Sequence, residues 1–363
     1  MLHHSLLWHE DPVWAHLIRP VPERHKDSRI VQNTEVSFFL PEPDAVMSRI
    51  PHAIEDYWAW QASGSATTPY WGRYHWVLQT YLYLKQAGLP VVLTNSMPPR
   101  GVILTHLDCV EYGFRPSREQ YLAIMLVDRE VPHPRGRMHI LHNPVQRLHL
   151  GLRHRYMPPW PQVGLVPRNP ARADRFDVLG YFGYPNNLHP SISDVDFRGQ
   201  IARLGLTLYI PPPADWHDFS NVDCVMAIRT FGRAESHLNK PSLKLFNAWL
   251  AGVPAVLGYE SAHVREGVPG RGYLEATNPE ELLEALSRLR MNVELRRELV
   301  EHGRKAMVEF SASRTVERWR QLIDTVLLPD FERTQHGSLR AVGSDLLGPV
   351  RERILWRKPG WFR

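Results

Sequence analysis

The 363-residue sequence has little cysteine and no long uninterrupted apolar run. Its two cysteines, Cys109 and Cys224, have neither the spacing of a zinc site nor that of a disulfide framework, so we expect a reducing compartment. The longest apolar stretch, 246–258, is interrupted by a glycine and a proline and is shorter than the ~20 residues that a membrane span needs. Within residues 1–14, acidic side chains occur before an apolar core long enough for a secretory signal, so we do not expect such a signal. These absences predict a cytoplasmic protein.

Positive charge is concentrated at the carboxyl end. The net charge is +5, and residues 333–363 alone contain seven Lys or Arg against two acidic residues. Because this excess is not spread over a folded face, it does not indicate a nucleic-acid-binding domain. Residues 354–363 interleave aromatic and basic side chains, which suits an anionic membrane surface. The sequence leaves two interpretations open, a peripheral membrane contact or a tail that packs against the first domain.

Short apolar runs alternate with helix-forming segments, which is typical of parallel sheets covered by helices on both faces. After an extension at 1–34, the first set spans 35–150. Residues 151–175 are rich in Pro, Arg and aromatic residues and are interpreted as a linker. A second set spans 176–330, and the basic tail occupies 331–363. The sequence predicts an α/β protein of two Rossmann-like domains that face each other across a cleft.

Some helix ends can be predicted directly. A helix through 79–85 should end at Gly88 as its C′ glycine. Asn278 should cap a helix whose leucines share one face. The acidic pair Asp194 and Asp196 matches a D-x-D metal signature, but it precedes a helix, where acidic side chains favour the dipole. We therefore interpret it as a cap and predict no metal.

The segment 237–262 has the strongest chemical signal. Its residues Lys240 and Lys244 lie close to the point where a predicted loop leads into a helix. The amino terminus of a helix attracts anions through its unpaired N–H groups and its dipole. Arg229 follows the apolar run 222–228, at a strand end where ligands bind in parallel sheets. The pattern predicts a pyrophosphate site. The alternative is that these cations are solvated surface residues.

The run HLNKPSLKLFNAWLAGVPAVLGYESA at 237–262 resembles the donor-binding half of GT-B glycosyltransferases of the group-1 type. The resemblance continues through 272–286 and 295–311 and covers about 177–327, whereas the first domain is similar only in layout. It implies a metal-independent glycosyltransferase, without a cofactor, that moves a sugar from a nucleotide-diphosphate sugar to a hydroxyl of a glycan, lipid-linked or small-molecule acceptor. Such an enzyme would belong to polysaccharide biosynthesis.

The predicted donor site includes a Gly-rich turn at 180–188, which is not a G-x-G-x-x-G fingerprint and so does not support a dehydrogenase. Retaining members of the group place two glutamates eight positions apart, where this chain has Asn239 and Asn247. Asn247 can hydrogen-bond a ribose hydroxyl but carries no charge, so the stereochemical outcome stays open. The donor residues that we predict are Gly183, Arg229, Lys240, Lys244, Asn247, Glu260 and Ser261.

The acceptor side is expected in the first domain, where the strand 101–110 carries His106 and Asp108. The resemblance implies that such a histidine or aspartate faces the acceptor, and a neutral imidazole can take a hydroxyl proton near pH 7. Because the chain has 19 histidines, a structural role for His106 is the alternative. Asp128 and Asn143 also follow predicted strands and are acceptor-side candidates by position.

Two other functions compete with sugar transfer. A non-catalytic protein that binds a nucleotide sugar or a glycan is suggested by Asn239 and Asn247 in place of the glutamates. A sugar-nucleotide epimerase of the same two-domain shape would release nucleotide and need no acceptor.

Overall fold

A computed structural model describes residues 35–70, 72–336, 347–351 and 353–355. The extension predicted at 1–34 and the tail residues 356–363 lie outside the described residues. In the part of the chain that is described, no helix is long and apolar enough to cross a membrane.

The chain divides into two compact units. The amino-terminal unit contains the described residues up to Trp160, together with His237–Pro241 and the described residues from Ser313 onward. The carboxyl-terminal unit contains Pro161–Ser236 and Ser242–Ala312.

The amino-terminal unit is built on a six-stranded parallel sheet with the order β2-β1-β3-β4-β5-β6. Its central strands are buried over almost their whole length, as expected when helices cover both faces. The strands are β1 (Val36–Phe39), β2 (Val91–Thr94), β3 (Gly101–His106), β4 (Gln120–Leu126), β5 (Met138–Leu141) and β6 (His154–Tyr156).

Helices of this unit include a π-helical turn at Tyr74–Leu78 that leads directly into α3. Gly88 follows α3 with φ +76°, which confirms the predicted C′ glycine. A second π-helical turn spans Ile323–Leu327. The α-helices are α1 (Asp44–Met47), α2 (Tyr57–Ala62), α3 (Gln79–Gln86), α9 (Ala312–Leu322) and α10 (Leu328–Gln335), with residues 347–351 and 353–355 also helical.

The carboxyl-terminal unit has a five-stranded parallel sheet with the order β11-β10-β9-β7-β8. Its core contains the apolar side chains of β7, β9 and β10, such as Leu179, Val225 and Val256. The strands are β7 (Val178–Gly180), β8 (Thr207–Tyr209), β9 (Cys224–Ala227), β10 (Ala255–Leu257) and β11 (Leu274–Glu275). The two parallel sheets confirm the predicted α/β class.

Helix caps in this unit follow the sequence signals. The Asn278 side chain accepts a hydrogen bond from the N–H of Glu281 at 2.8 Å, as predicted. The Asp194 carboxylate accepts from the N–H of Asp196 at 3.1 Å, so it caps a helix as the sequence indicated. The helices are α4 (Val195–Arg203), α5 (Leu243–Ala251), α6 (Ser261–Glu266), α7 (Pro279–Met291) and α8 (Val293–Met307).

The unit boundaries differ from the predicted domains in several places, which include the assignment of the loop His237–Pro241 to the amino-terminal unit. Residues 154–156 of the expected linker form β6, which pairs with β5 as an edge strand of the first sheet. The last helix was expected in the second domain but belongs to the amino-terminal unit, where Trp319 is fully buried. Asp330, two residues into α10, accepts a hydrogen bond from the Tyr121 hydroxyl at 3.0 Å. Apolar burial and this polar contact explain why the chain returns to the first unit.

Candidate functional site

The carboxyl end of β7 and the start of α5 meet at Lys244. Its Nζ lies 5.7 Å from the centroid of the Tyr181 ring and 5.8 Å from that of Trp216, distances at which an ammonium is attracted to an aromatic face. Gly183 lies directly against these groups, since a Cβ at Gly183 would be 2.8 Å from Tyr181 Oη and 3.3 Å from Lys244 Nζ. The structure thus brings two predicted donor residues together.

Arg229 and Glu260 form the next part of the same edge, after β9 and β10. The Nε of Arg229 donates to Glu260 Oε1 at 3.0 Å, and Glu260 is buried. Burial raises the pKa of the Tyr181 hydroxyl to about 12, with opposing contributions from the charges of Arg229 and Glu260 nearby. We define the donor cluster as Tyr181, Gly183, Arg229, Lys244 and Glu260.

Two other predicted donor residues lie on neighbouring backbone. The N–H of Ser261, which follows Glu260, donates to the carbonyl of Ser236 at 2.9 Å. Asn247 is buried one turn after Lys244 on α5, and its amide nitrogen lies 3.5 Å from Gln162 Oε1. Among the described residues the Asn247 Oδ1 has no hydrogen-bond partner. A ribose contact from Asn247 stays a prediction.

Lys240 is placed differently from Lys244. It belongs to His237–Pro241 in the amino-terminal unit, and its Nζ lies 2.8 Å from Asp128 Oδ1. Its carbonyl accepts a hydrogen bond from Asn143 Nδ2 at 3.1 Å. The ends of β4 and β5 therefore hold this loop, and a contact of Lys240 with the donor phosphates stays a prediction.

Asp128 also has an unusual backbone. Its φ is +56°, in the left-handed region that few residues other than glycine occupy. Its N–H donates to the carbonyl of Asn239 at 3.0 Å. Both acceptor-side candidates chosen by position, Asp128 and Asn143, thus hold the 237–241 loop.

His106 ends β3 and is buried. Its Nδ1 accepts the N–H of Asp108 at 3.2 Å, so its Nε2 carries the proton and donates to the carbonyl of Val127 at 3.3 Å. Burial lowers the pKa of the imidazole, against the raising effect of the Asp108 charge. Both ring nitrogens are engaged within the fold, which favours the structural alternative, and a catalytic role for His106 stays a prediction.

Asp108 is held by a residue that sequence reasoning missed. Arg129, just after β4, donates to both carboxylate oxygens of Asp108, from Nε at 2.8 Å and from Nη2 at 2.7 Å. This forked geometry fixes the carboxylate at the carboxyl edge of the sheet. Tyr181 and Trp216 were also missed, although an aromatic residue beside the Gly-rich turn was a signal for Tyr181.

The arrangement can bind an anion in the carboxyl-terminal unit. Lys244 and Arg229 supply positive charge, Gly183 lets the backbone come close, and the first N–H groups of α5 lack partners within the helix. No group of three or more His, Cys, Asp or Glu side chains suited to a metal ion occurs among the described residues.

Two parallel sheets with helices between their strands define an α/β fold in both units. Residues 167–324 match the sequence model of a family described as glycosyl transferase-like. The match contains every residue of the donor cluster and covers less than half of the chain. No curated protein is similar enough to count as a match.

Three solved structures illustrate the distant likeness. The pneumococcal O-GlcNAc transferase GtfA, in complex with UDP and GlcNAc, shares 11% identity over 72% of this chain and 60% of that chain, with a TM-score of 0.45. TarM of S. aureus shares 10% identity over 63% of this chain and 56% of that chain, with a TM-score of 0.45. Anabaena HepE, in complex with UDP and glucose, shares 11% over 81% and 100%, with a TM-score of 0.47. The chain covers less than two thirds of the length of the first two.

Proposed function

We propose that the protein transfers a sugar from a nucleotide-diphosphate sugar to a hydroxyl of an acceptor, which is a glycan, a lipid-linked or a small molecule. The observation that carries this proposal is the donor cluster at the carboxyl edge of a parallel sheet: Lys244 lies beside Gly183 and the Tyr181 ring, and Arg229 is bound to Glu260 after the neighbouring strands. That cluster falls within the segment matched by the glycosyl transferase-like family. We propose polysaccharide biosynthesis in the cytoplasm as its setting.

Sugar transfer needs positive charge beside the diphosphate, because negative charge grows on it as its bond to the sugar breaks. The bond between the anomeric carbon and the diphosphate oxygen breaks, the acceptor oxygen bonds to that carbon, and the acceptor proton goes to a base. Lys244 and Arg229 would stabilise the charge that grows on the leaving diphosphate, so the proposed reaction needs no metal. If the reaction inverts, Asp108, oriented by Arg129, and His106 are the candidate bases.

The test removes one ammonium from the donor cluster. Purified protein is incubated with a panel of radiolabelled nucleotide-diphosphate sugars and acceptor glycans, with and without a chelator, and the products are analysed. We expect transfer by the natural protein, unchanged by the chelator, and a loss of about a hundredfold in Lys244→Ala.

Lys305→Ala is the matched control, because Lys305 is an exposed lysine on α8 of the same unit. It should leave transfer unchanged. Equal activity of the two variants would remove Lys244 from the donor site, and release of free nucleotide with an epimerised sugar would favour the epimerase.

Binding without turnover is a second candidate. It is favoured by Asn239 and Asn247, which carry no charge where retaining members of the group have glutamates, and by the engagement of Asn239 and Lys240 with the end of β4. Calorimetry with nucleoside diphosphates, combined with the product analysis above, separates the two. Tight binding that Lys244→Ala weakens, with no product from any donor, would support a binding protein.

A further inference from the structure

Two aromatic residues follow the carboxyl ends of neighbouring strands in the carboxyl-terminal unit. Tyr184 follows β7, and Trp216 follows β8, which pairs with β7. The two ring centroids are 4.9 Å apart and the rings are nearly perpendicular, at 80°. We define these two residues as the aromatic pair. Because ligands of open parallel sheets bind at the carboxyl ends of the strands, the aromatic pair lies at the edge of the sheet that carries the donor cluster.

The two rings differ in exposure. Trp216 is partly buried, and its Nε1 donates to the carbonyl of Pro211 at 3.3 Å. Tyr184 is 51% exposed, although its backbone carbonyl accepts a hydrogen bond from the Tyr181 hydroxyl at 3.2 Å. Its main chain and its ring are thus both held by neighbours, while half of its surface is open to solvent. Such a tyrosine presents a flat apolar surface at a fixed place.

The aromatic pair lies beside the cation of the donor cluster. The Nζ of Lys244 is 5.8 Å from the centroid of the Trp216 ring. Gly183 directly precedes Tyr184, and a Cβ at Gly183 would be 3.3 Å from Lys244 Nζ. A phosphate bound by this ammonium would therefore have both aromatic side chains close to it.

The predicted ribose contact lies on the same side of the unit. The amide nitrogen of Asn247 is 3.5 Å from Gln162 Oε1. Four residues further along that segment, the N–H of Val166 donates at 2.8 Å to the carbonyl of His217, the residue after Trp216. The segment 162–166 thus runs from Asn247 to the aromatic pair.

A nucleoside diphosphate has groups that match this arrangement in order. Its phosphates are anionic, its ribose carries hydroxyl groups, and its base is planar and is separated from the phosphates by the ribose. Every base has a π-face, so an aromatic side chain can stack on a purine or a pyrimidine. A diphosphate without a base would gain nothing from such a ring.

We propose that the aromatic pair is a stacking platform for the base of the bound nucleotide. Tyr184 contacts the base, and Trp216 positions the Tyr184 ring. This inference rests on the proposed function, because it takes the donor cluster to hold the diphosphate. It gives the base a binding partner in a site where the sequence indicated residues for the phosphates and the ribose alone.

Calorimetry of the full chain with UDP, GDP and inorganic pyrophosphate tests the platform. Tyr184 is the residue to change, since Trp216 also contacts the Lys244 side chain. We expect Tyr184→Ala to bind each nucleotide about tenfold more weakly, because stacking on the base is lost. The affinity for pyrophosphate should stay unchanged, because pyrophosphate has no base. Lys244→Ala should weaken all three ligands.

Two control variants accompany this test. Tyr184→Phe keeps the ring and should bind the nucleotides as the natural protein does. Met291→Ala, at an exposed residue that ends α7 of the same unit, should also bind normally. Circular dichroism and thermal melting should show that all variants fold, as exposed substitutions allow.

The outcomes separate the platform from the proposed function. If the natural protein binds none of the three ligands, the donor cluster and the platform are both overturned. If the nucleotides bind equally well to Tyr184→Ala, or if Tyr184→Phe loses as much affinity as Tyr184→Ala, the platform alone is overturned. An equal loss of pyrophosphate affinity in Tyr184→Ala would also overturn it, since the ring would then act on the phosphate site and not on the base.

Discussion

The substitution Gly183→Ala, which adds one methyl group, tests whether nucleotide binds at the donor cluster. A Cβ there would lie 2.8 Å from Tyr181 Oη, and because the hydroxyl sits on a rigid ring, Gly183→Ala must displace Tyr181 or its neighbour Lys244. We expect the affinity for a nucleoside diphosphate, measured by calorimetry, to fall about tenfold, which corresponds to ~1.4 kcal/mol.

The control for this prediction is Gly199→Ala in helix α4, where a Cβ would meet only Arg203 Nη1 at 3.8 Å. The control should bind nucleotide normally and unfold at the same or a higher temperature, because alanine suits a helix better than glycine. Normal nucleotide affinity in Gly183→Ala would show that the ligand does not approach this turn.

Arg229 and Gly183 were predicted from their residue types and their positions after strands, and Lys244 from its charge and its place at the start of a helix. The sequence did not reveal their partners, since Arg229 pairs with a glutamate 31 positions away. For Lys240 the partner decides the location, because Asp128 is 112 residues distant in the chain and holds the lysine in the other unit. A local sequence pattern indicates the chemistry that a side chain can perform, whereas contacts with residues distant in sequence determine its position in the fold.

At the scale of elements, Asp223 ties the amino ends of β7 and β9 together. Its carboxylate accepts from Arg172 Nε at 2.8 Å and Arg168 Nε at 3.0 Å, and from the backbone N–H groups of Asp177 and Val178 at 2.9 and 3.0 Å. Burial alone would raise the pKa of this carboxyl, but these hydrogen bonds outweigh it and hold the pKa well below its usual range.

The sign of the pH effect follows from that shift. A carboxyl whose pKa is lower in the folded state stabilises the fold above about pH 4, and this stabilisation is lost as the pH falls through the folded pKa. Asp223→Asn should therefore lower the free energy of unfolding at pH 7 by about 3 kcal/mol in urea titrations and flatten its decline below pH 4. The control is Asp177→Asn, because Asp177 is an exposed carboxylate that also pairs with Arg172. It should lower the free energy of unfolding by less than Asp223→Asn does. An equal decrease in the two variants would contradict the central role of Asp223.

Most elements could be predicted because each carries a local signal. The apolar runs of β1, β3, β4 and β9 and the Asn278 cap of α7 are recognisable within a few residues. The exception is β6, whose side chains are at least partly exposed and whose neighbours are rich in proline, so that only pairing with β5 makes it a strand. Edge strands of this kind lack the continuous apolar run that identifies a central strand.

At the scale of the whole molecule, buried histidines are concentrated in the amino-terminal unit. His139 and His142 are almost completely buried, and burial lowers the pKa of each imidazole to about 3. The pKa of His106 is also lowered by its burial. These rings stay neutral in the folded unit at pH values where an unfolded chain would protonate them.

The consequence is an acid sensitivity that differs between the two units. Below about pH 6.5 the unfolded chain binds protons that folded His139 and His142 do not, so the stability of the amino-terminal unit falls with pH by up to ~1.4 kcal/mol per pH unit for each ring. Asp223 in the carboxyl-terminal unit loses its stabilising effect only at lower pH. Limited proteolysis of the full chain at pH 7.5 and 5.5, with a protease active at both and cleavage sites mapped by mass spectrometry, should show new cuts first in 35–160.

In His142→Gln, with one fewer proton to bind on unfolding, the loss of stability with pH should be shallower. New cuts that appear first in 161–236 would contradict the assignment of the sensitivity to these histidines.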